Sequence, residues 1–205
     1  MRKTLVVLAA LAATLLGGGA VRAAPQSVTI SLSRPSVVYG GSISLSGKVS
    51  NSKAGETVDV LAEAYGASSF STLGSVSTTA GGKWADVVKP TIETAYRATW
   101  KSATSSTVTV KVRPLITLTL INLASGRFST KAAAARSFAG KFVLVQRLSS
   151  TGVTTLKKVT LDGSSSATFR VRLHHGRSRL RVVMPTSQAA PGYITGNSTT
   201  LTVSR

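Results

Sequence analysis

Five arginines in the C-terminal third of the chain stand at alternate positions, a spacing that could place their charged groups together to bind an anion. They are Arg170, Arg172, Arg177, Arg179 and Arg181. A guanidinium stays charged in proteins and can hold a phosphate or a carboxylate through two parallel hydrogen bonds. The sequence therefore predicts an anion-binding site at these arginines, with Arg177 in the same bend as His174 and His175 and the other four on the strands before and after it.

Alternation places Arg170 and Arg172 on the solvated side of one strand, and Arg179 and Arg181 on the solvated side of the next. Phe169, Val171 and Leu173 would face the core in the first strand, and Leu180 and Val182 in the second. In a two-sheet sandwich such consecutive strands belong to different sheets, so the two arginine rows could face opposite sides and meet only at the bend. The alternative is that these charges keep the protein soluble and stop strand edges from pairing.

Catalytic chemistry has few candidates in this sequence. A Ser-His-Asp arrangement would need His174 or His175 with Asp162 and a serine, but adjacent histidines in a basic turn favour solvent exposure. The six acidic residues offer no close pair for glycoside hydrolysis and no calcium loop. Cysteine is absent, which excludes disulfides, thiolate metal sites and a catalytic thiol. We expect a non-enzymatic protein without catalytic, metal-binding or cofactor-binding residues.

Positive charge is concentrated in the second half of the chain. Overall, 25 Lys and Arg stand against 6 Asp and Glu. Residues 24–112 contain 8 basic and 5 acidic residues, whereas residues 114–205 contain 13 basic residues and one acid, Asp162. Such a surface attracts anionic polymers. The expected partner is an anionic cell-envelope polymer or another surface protein; nucleic acid is not expected, because no aromatic-studded basic groove is evident.

The N-terminus has the pattern of a secretory signal. Two positive charges in Met1–Lys3 precede an apolar run, Leu5–Leu16, and small residues follow up to Ala23. A helix needs about 20 apolar residues to cross a bilayer, which is more than this run supplies. We predict a signal peptide at residues 1–23, cleaved after Ala23, and an extracellular or envelope-associated mature chain without a transmembrane segment.

From Ser27 onward, apolar residues alternate with serine and threonine at a period of two. Tyr96, Ala98 and Trp100, for example, would share one face of a strand. About seven short strands without a helical period between them predict a β-sandwich. A helical turn is an alternative only at residues 130–137, where four alanines stand in a row.

The strand pattern occurs twice, with a spacing of about 85 residues. The matched pairs are Gly55 and Gly140, Val58 and Val143, and Trp84 and Phe169. Between the copies stands Arg113-Pro114, a natural joint because proline cannot donate to a strand ladder and keeps its predecessor extended. We predict two tandem sandwich domains, residues 24–113 and 114–205, with restricted bending across the short linker.

Several segments resemble the bacterial immunoglobulin-like domains of exported actinobacterial proteins. In the first half the resemblance rests on residues 39–47 (YGGSISLSG), 54–58 (AGETV), 81–84 (GGKW), 88–90 (VKP) and 94–98 (TAYRA). The second half resembles a companion module of such proteins through residues 140–141 (GK), 146–147 (QR), 169–173 (FRVRL) and 176–179 (GRSR).

The resemblance implies an all-β fold of two tandem immunoglobulin-like β-sandwiches and an adhesive, spacer or wall-associated role. We therefore expect a secreted, non-enzymatic binding or spacer protein. The alternative is an electrostatic binder of anionic wall glycopolymer or lipid headgroups, which would use the arginines of the second domain.

Overall fold

The fold is nearly all β, as predicted, with 56% of the structure in strands and 4% in helix. The computed structural model describes residues 25–205; residues 1–24, which include the predicted signal peptide and its cleavage site, lie outside the described residues. Within 25–205, no helix has the length and apolar character needed to cross a membrane.

The first sandwich ends at Arg113 and consists of two facing sheets. Its strands are β1 (Ser31–Leu32), β2 (Ser36–Val38), β3 (Ile43–Lys48), β4 (Thr57–Ala64), β5 (Ser71–Ser77), β6 (Lys83–Val88), β7 (Thr94–Trp100), β8 (Ala103–Thr104) and β9 (Val108–Arg113). The smaller sheet has the order β1-β3-β6, and the larger has the order β2-β9-β7-β4-β5, with β8 beside β7. The chain therefore crosses repeatedly between the sheets, for example from β3 to β4 and from β6 to β7, as in an immunoglobulin-like sandwich.

The second sandwich begins directly after Pro114 and repeats this plan. Its elements are β10 (Leu115–Asn122), β11 (Arg127–Ala133), β12 (Phe142–Ser149), β13 (Gly152–Thr160), β14 (Ser166–Arg170), β15 (Arg177–Met184), α1 (Thr186–Ala189), β16 (Gly196–Asn197) and β17 (Leu201–Ser204). One sheet has the order β10-β11-β14; the other has the order β13-β12-β15-β16, with β17 also paired to β15.

The predicted alternation determines which side chains form the core. Tyr96, Ala98 and Trp100 on β7 are all buried, with at most 2% of their surface exposed. The repeat is also present in the strands, because β12 begins and ends 85 residues after β4 begins and ends. Gly55 and Gly140 precede these strands with φ angles of 79° and 75°, a region that favours glycine.

One sequence-based alternative is wrong: the alanine-rich stretch at 130–137 contains no helix. It continues β11 as far as Ala133 and then bends. Thr130 donates a hydrogen bond to the carbonyl of Thr117 at 2.7 Å, and Ala132 is buried in the core. Strand pairing and burial here outweigh the intrinsic helix preference of alanine.

The last loop of the second sandwich is long and contacts the first sandwich. Residues 185–200 connect β15 to β17, whereas residues 101–107 connect the corresponding strands β7 and β9. The backbone of Gly192 accepts a hydrogen bond from the Glu93 amide at 3.0 Å. The Ile194 amide donates to the Val112 carbonyl, also at 3.0 Å.

Tyr193 is the central side chain of this contact, and only 2% of its surface is exposed. Its hydroxyl donates to the carbonyl of Thr91 in the first sandwich at 2.7 Å and accepts from the amide of Ala135 at 3.0 Å. Its ring meets that of Phe138 edge-on, with centroids 5.7 Å apart. The guanidinium of Arg136 lies 5.5 Å from the same ring, within cation–π range. The buried phenol of Tyr193 therefore bonds to both sandwiches.

Another hydrogen bond crosses the joint beside the linker. Arg113 donates from Nη1 to the carbonyl of Thr195 at 2.9 Å. Bending at Pro114 would break this bond together with those of Tyr193, Gly192 and Ile194. The division into two independently folding domains, 24–113 and 114–205, stays a prediction.

Replacing Tyr193 by phenylalanine should weaken the joint. The change leaves the Thr91 carbonyl and the Ala135 amide without their partner, which should lower the free energy of unfolding by about 1–3 kcal/mol. The measurement is denaturant unfolding followed by circular dichroism. Tyr65→Phe is the matched control, because Tyr65 is 53% exposed. Equal effects of both changes would contradict this account of the joint.

The same variant should alter the alkaline limit of stability. Burial raises the pKa of the Tyr193 phenol. The folded protein thus keeps this group neutral to a higher pH than the unfolded chain does. Its contribution is complete below the usual tyrosine pKa of about 10 and is lost as pH rises through the raised value. Stability of the wild type should therefore fall more steeply above pH ~10 than that of Tyr193→Phe.

Gly47 on β3 is opposite Trp84 on β6, at a position that has no room for a larger side chain. A methyl group there would lie 1.8 Å from the Thr29 carbonyl oxygen and 2.6 Å from the Trp84 indole nitrogen. Gly47→Ala should therefore destabilise the protein by about 1–3 kcal/mol, as overpacking does. Gly74→Ala on β5 is the control, since its methyl group would meet nothing within 4 Å. Thermal unfolding compares the two, and an unaffected Gly47→Ala protein would refute the predicted clash.

Candidate anion-binding site

Asp162, the one acid of the second sandwich, is part of a turn. Its Oδ1 accepts hydrogen bonds from the amides of Ser164 and Ser166 at 2.8 and 3.0 Å and from the Ser164 hydroxyl at 2.7 Å. These bonds, the hydroxyl of Ser164 first, lower the pKa of the Asp162 carboxyl. His174 and His175 are exposed near the beginning of β15. Asp162 therefore organises the turn before β14.

Glu56 in the first sandwich is also engaged structurally. Trp100 donates its indole N–H to Oε2 at 2.9 Å, Asn51 donates to Oε1 at 2.7 Å, and Lys101 forms a salt bridge at 3.2 Å. These partners, led by Trp100, lower the pKa of the Glu56 carboxyl. No group of three or more His, Asp or Glu side chains suited to a metal ion occurs in the part of the chain that the structure describes.

The structure divides the five predicted arginines between two surfaces. Arg170 ends β14 in the three-stranded sheet, and Arg172 follows it in the connection to β15. The other three lie on β15 in the five-stranded sheet. They point away from the core, because the alternate residues Ser178, Leu180 and Val182 are buried. The separation of consecutive strands that the sequence predicted is therefore present.

The β15 arginines form a row on the outer face of their sheet. Arg177 is opposite Ser204, Arg179 is opposite Thr202, and Arg181 is opposite Gln146. Arg181 is half-buried and donates from Nε to the Gln146 side-chain oxygen at 2.9 Å. Arg177 and Arg179 are exposed.

Arg170 and Arg172, in contrast, line a cleft of about 270 Å³ at the open edge of the sandwich. The cleft lies where β13 and β14, the edge strands of the two sheets, come side by side. Its lining residues are Arg147, Leu156, Lys157, Arg170, Val171, Arg172 and His174. Two basic residues that the sequence analysis did not select, Arg147 and Lys157, thus join two that it did.

Arg147 enters this cleft from the core side of β12. It continues the inward series of Val143 and Val145, both fully buried, and it is opposite the buried Leu180 on β15. Its Nη2 donates to the carbonyl of Arg172 at 3.4 Å, and its buried Nε has no hydrogen-bond partner in the protein. Lys157 approaches from β13, where it is opposite Val145.

No carboxylate lines the cleft. Asp162 precedes β14 and so lies beyond the opposite end of that strand from Arg170. Both salt bridges found within residues 25–205, Lys101–Glu56 and Lys111–Glu93, belong to the first sandwich. Arg127 adds to the positive charge, because it is directly opposite Arg170 in the pairing of β11 with β14. Like charges in this position are destabilising unless a counter-ion is present.

A signal for Arg147 exists in the sequence. Val143 and Val145 mark one phase of an alternating strand, and Arg147 continues that phase with a charged residue. The arginine is therefore expected on the buried side, where a charged group needs a partner. Lys157 has no such signal, because its position depends on the register between β12 and β13, which shifts after Val145.

No protein-family model matches the chain, and no curated protein matches it in sequence. A crystal structure of a tetra-tandem repeat in the extending region of a large adhesion protein is similar at 11% identity and a TM-score of 0.37; the match covers 87% of this chain and 49% of that one. Alpha-2-macroglobulin of E. coli gives 10% identity and a TM-score of 0.35, with 87% and 16% covered. Bovine butyrophilin gives 14% and 0.36, with 89% and 99% covered. The chain thus spans about half of the adhesion repeat structure. The fold assignment rests on the strand order of the chain itself.

Proposed function

We propose that the chain is an extracellular, non-enzymatic binding or spacer module, in which a hydrogen-bonded joint holds two immunoglobulin-like sandwiches in a fixed relation. The signal-like N-terminus supports export. The joint is the observation that carries the spacer role, because Tyr193, Gly192, Ile194 and Arg113 all bond across it. A spacer must transmit position, and loosely tethered sandwiches would not.

The spacer role predicts that the two sandwiches tumble together. Amide ¹⁵N relaxation of the wild type should give one rotational correlation time for residues on both sides of Pro114. Tyr193→Ala removes the ring as well as the hydroxyl, so its two sandwiches should tumble faster and separately. Val153→Ala is the control and should behave as the wild type, because Val153 is 51% exposed and pairs with Leu148 at the hairpin end of β12 and β13. Independent tumbling of the wild-type sandwiches would contradict the spacer role.

The basic surface favours a second function, electrostatic retention on an anionic polymer of the cell envelope. The second sandwich has 13 basic residues and one acid, and that acid is engaged in a turn. One carboxylate cannot neutralise the field of thirteen cations. A field of one sign over a whole sandwich attracts polyanions over several ångströms, and salt screens this attraction.

Retention on isolated cell walls tests this second function. Raising the ionic strength from about 0.1 M to about 1 M shortens the screening length from about 10 Å to about 3 Å, so the bound fraction should fall steeply. A variant with four exposed arginines changed to serine should be released at lower salt than the wild type. The four positions are Arg170, Arg172, Arg177 and Arg179.

The matched control removes the same number of charges from the first sandwich. Its exposed lysines outside the two salt bridges are Lys48, Lys53, Lys83 and Lys89. Changing these to serine should shift the release point less than the arginine variant does. Retention that is insensitive to salt, or no retention of the wild type, would exclude the electrostatic function.

A further inference from the structure

We propose that the cleft between β13 and β14 is a discrete phosphate-binding site, with Arg147 as its innermost ligand and Arg170, Arg172 and Lys157 around it. The proposal deepens the electrostatic function and rests on it for its biological setting. It differs in its physical claim: one pocket, rather than the total charge of the sandwich, binds the anionic group.

The state of Arg147 is the first argument. A guanidinium at a core-facing position loses hydration, and a buried N–H without a partner costs free energy. Within the protein, Arg147 makes one long bond of 3.4 Å to the Arg172 carbonyl, and its Nε makes none. An anion in the cleft that Arg147 lines would supply the counter-charge that this guanidinium lacks.

The first sandwich supplies the second argument, because it has the same framework without these cations. Positions 85 residues before Arg147, Arg170 and Arg172 are occupied by Ala62, Ala85 and Val87. The correspondence holds in three dimensions, since Trp84 and Phe169, each next to one of these positions, are both buried on the edge strands of their smaller sheets. An immunoglobulin-like sandwich therefore forms without basic residues at these three positions.

The directions from which the cations come indicate the class of ligand. Arg147 and Lys157 come from the five-stranded sheet, whereas Arg170 and Arg172 come from β14 and the connection after it. A carboxylate presents two oxygens in one plane, which suits a single guanidinium. A phosphate presents several acceptor oxygens in different directions and suits donors that converge from separate elements. The cleft volume of about 270 Å³ leaves room for a phosphate ester with part of its alcohol.

The Nε–H resonance of Arg147 provides a direct readout. In ¹H–¹⁵N spectra of the mature chain, titration with inorganic phosphate should shift this resonance and the amides of residues 170–174, with saturation at a single affinity. Acetate at equal ionic strength should shift them less. An unchanged Arg147 resonance at saturating phosphate would overturn the proposal.

Charge-matched double variants separate the pocket from total charge. Arg170→Gln with Arg172→Gln removes two exposed cations from the cleft, and Arg177→Gln with Arg179→Gln removes two from the outer row. The first pair should weaken phosphate binding about tenfold or more, the usual effect of lost charge-assisted hydrogen bonds. The second pair should weaken it far less. Equal weakening by both pairs would refute a discrete site.

Arg147→Lys tests the innermost ligand, because it keeps the charge but removes the Nε–H and the planar fork. Phosphate binding should weaken about tenfold while the spectrum of the first sandwich stays unchanged. If this variant does not fold, the double variants decide alone. Wild-type affinity for phosphate in a folded Arg147→Lys protein would contradict the role of Arg147.

Two further probes identify the source of the phosphate. A soluble glycerol-phosphate oligomer represents a wall polymer, and phosphatidylglycerol vesicles represent a lipid headgroup. The source is the probe whose binding the Arg170/Arg172 pair weakens more than the control pair. If neither probe shows this difference, the cleft does not serve envelope binding. Salt-dependent wall retention that is equal in both pairs would leave the electrostatic function intact and remove the cleft from it.

Discussion

Each sheet of this protein must cover one face against another sheet, and the rest of the structure depends on that requirement. Side chains of a strand alternate between two faces, so apolar residues at every second position are buried only when two sheets pack together. Tyr96, Ala98 and Trp100 are buried for this reason. Charged residues then belong on outer faces, in loops and at the open edges between sheets. Both the joint and the basic cleft lie in such places.

The joint shows how a loop connects two bodies that could otherwise move independently. The second sandwich has more residues between β15 and β17 than the first has between β7 and β9. These residues form α1 and the segment around Tyr193. A tyrosine suits this position because its ring packs in an apolar contact while its hydroxyl bonds to the backbone. Here the ring packs on Phe138, and the hydroxyl reaches Thr91 across the joint. The linker at Pro114 is short, and the hydrogen bond from Tyr193 to Thr91 holds the two sandwiches against each other beside it.

The basic residues illustrate a difference between exposed charge and organised charge. Arg177 and Arg179 are solvated on an outer face, where each contributes to a general field. Arg147 is on the inner side of the same sheet, opposite Leu180. Burial makes its unpaired N–H costly, whereas the N–H groups of the exposed arginines are hydrated. The neutral residues at the equivalent places in the first sandwich, among them Ala62 and Ala85, show that the fold does not require the charge.

The sequence alone determined the strands, the repeat and the exposure of individual arginines, because these depend on local alternation and spacing. Gly55 and Gly140, for example, mark the same turn in both copies. Only the tertiary structure decided which charges share a surface, because sheet membership and register arise from pairing between distant strands. It separated Arg170 from Arg179, brought Arg147 beside Arg172, and directed Tyr193 to Thr91. Contacts of this kind join residues 25 to 102 positions apart, a range over which local pattern carries no information.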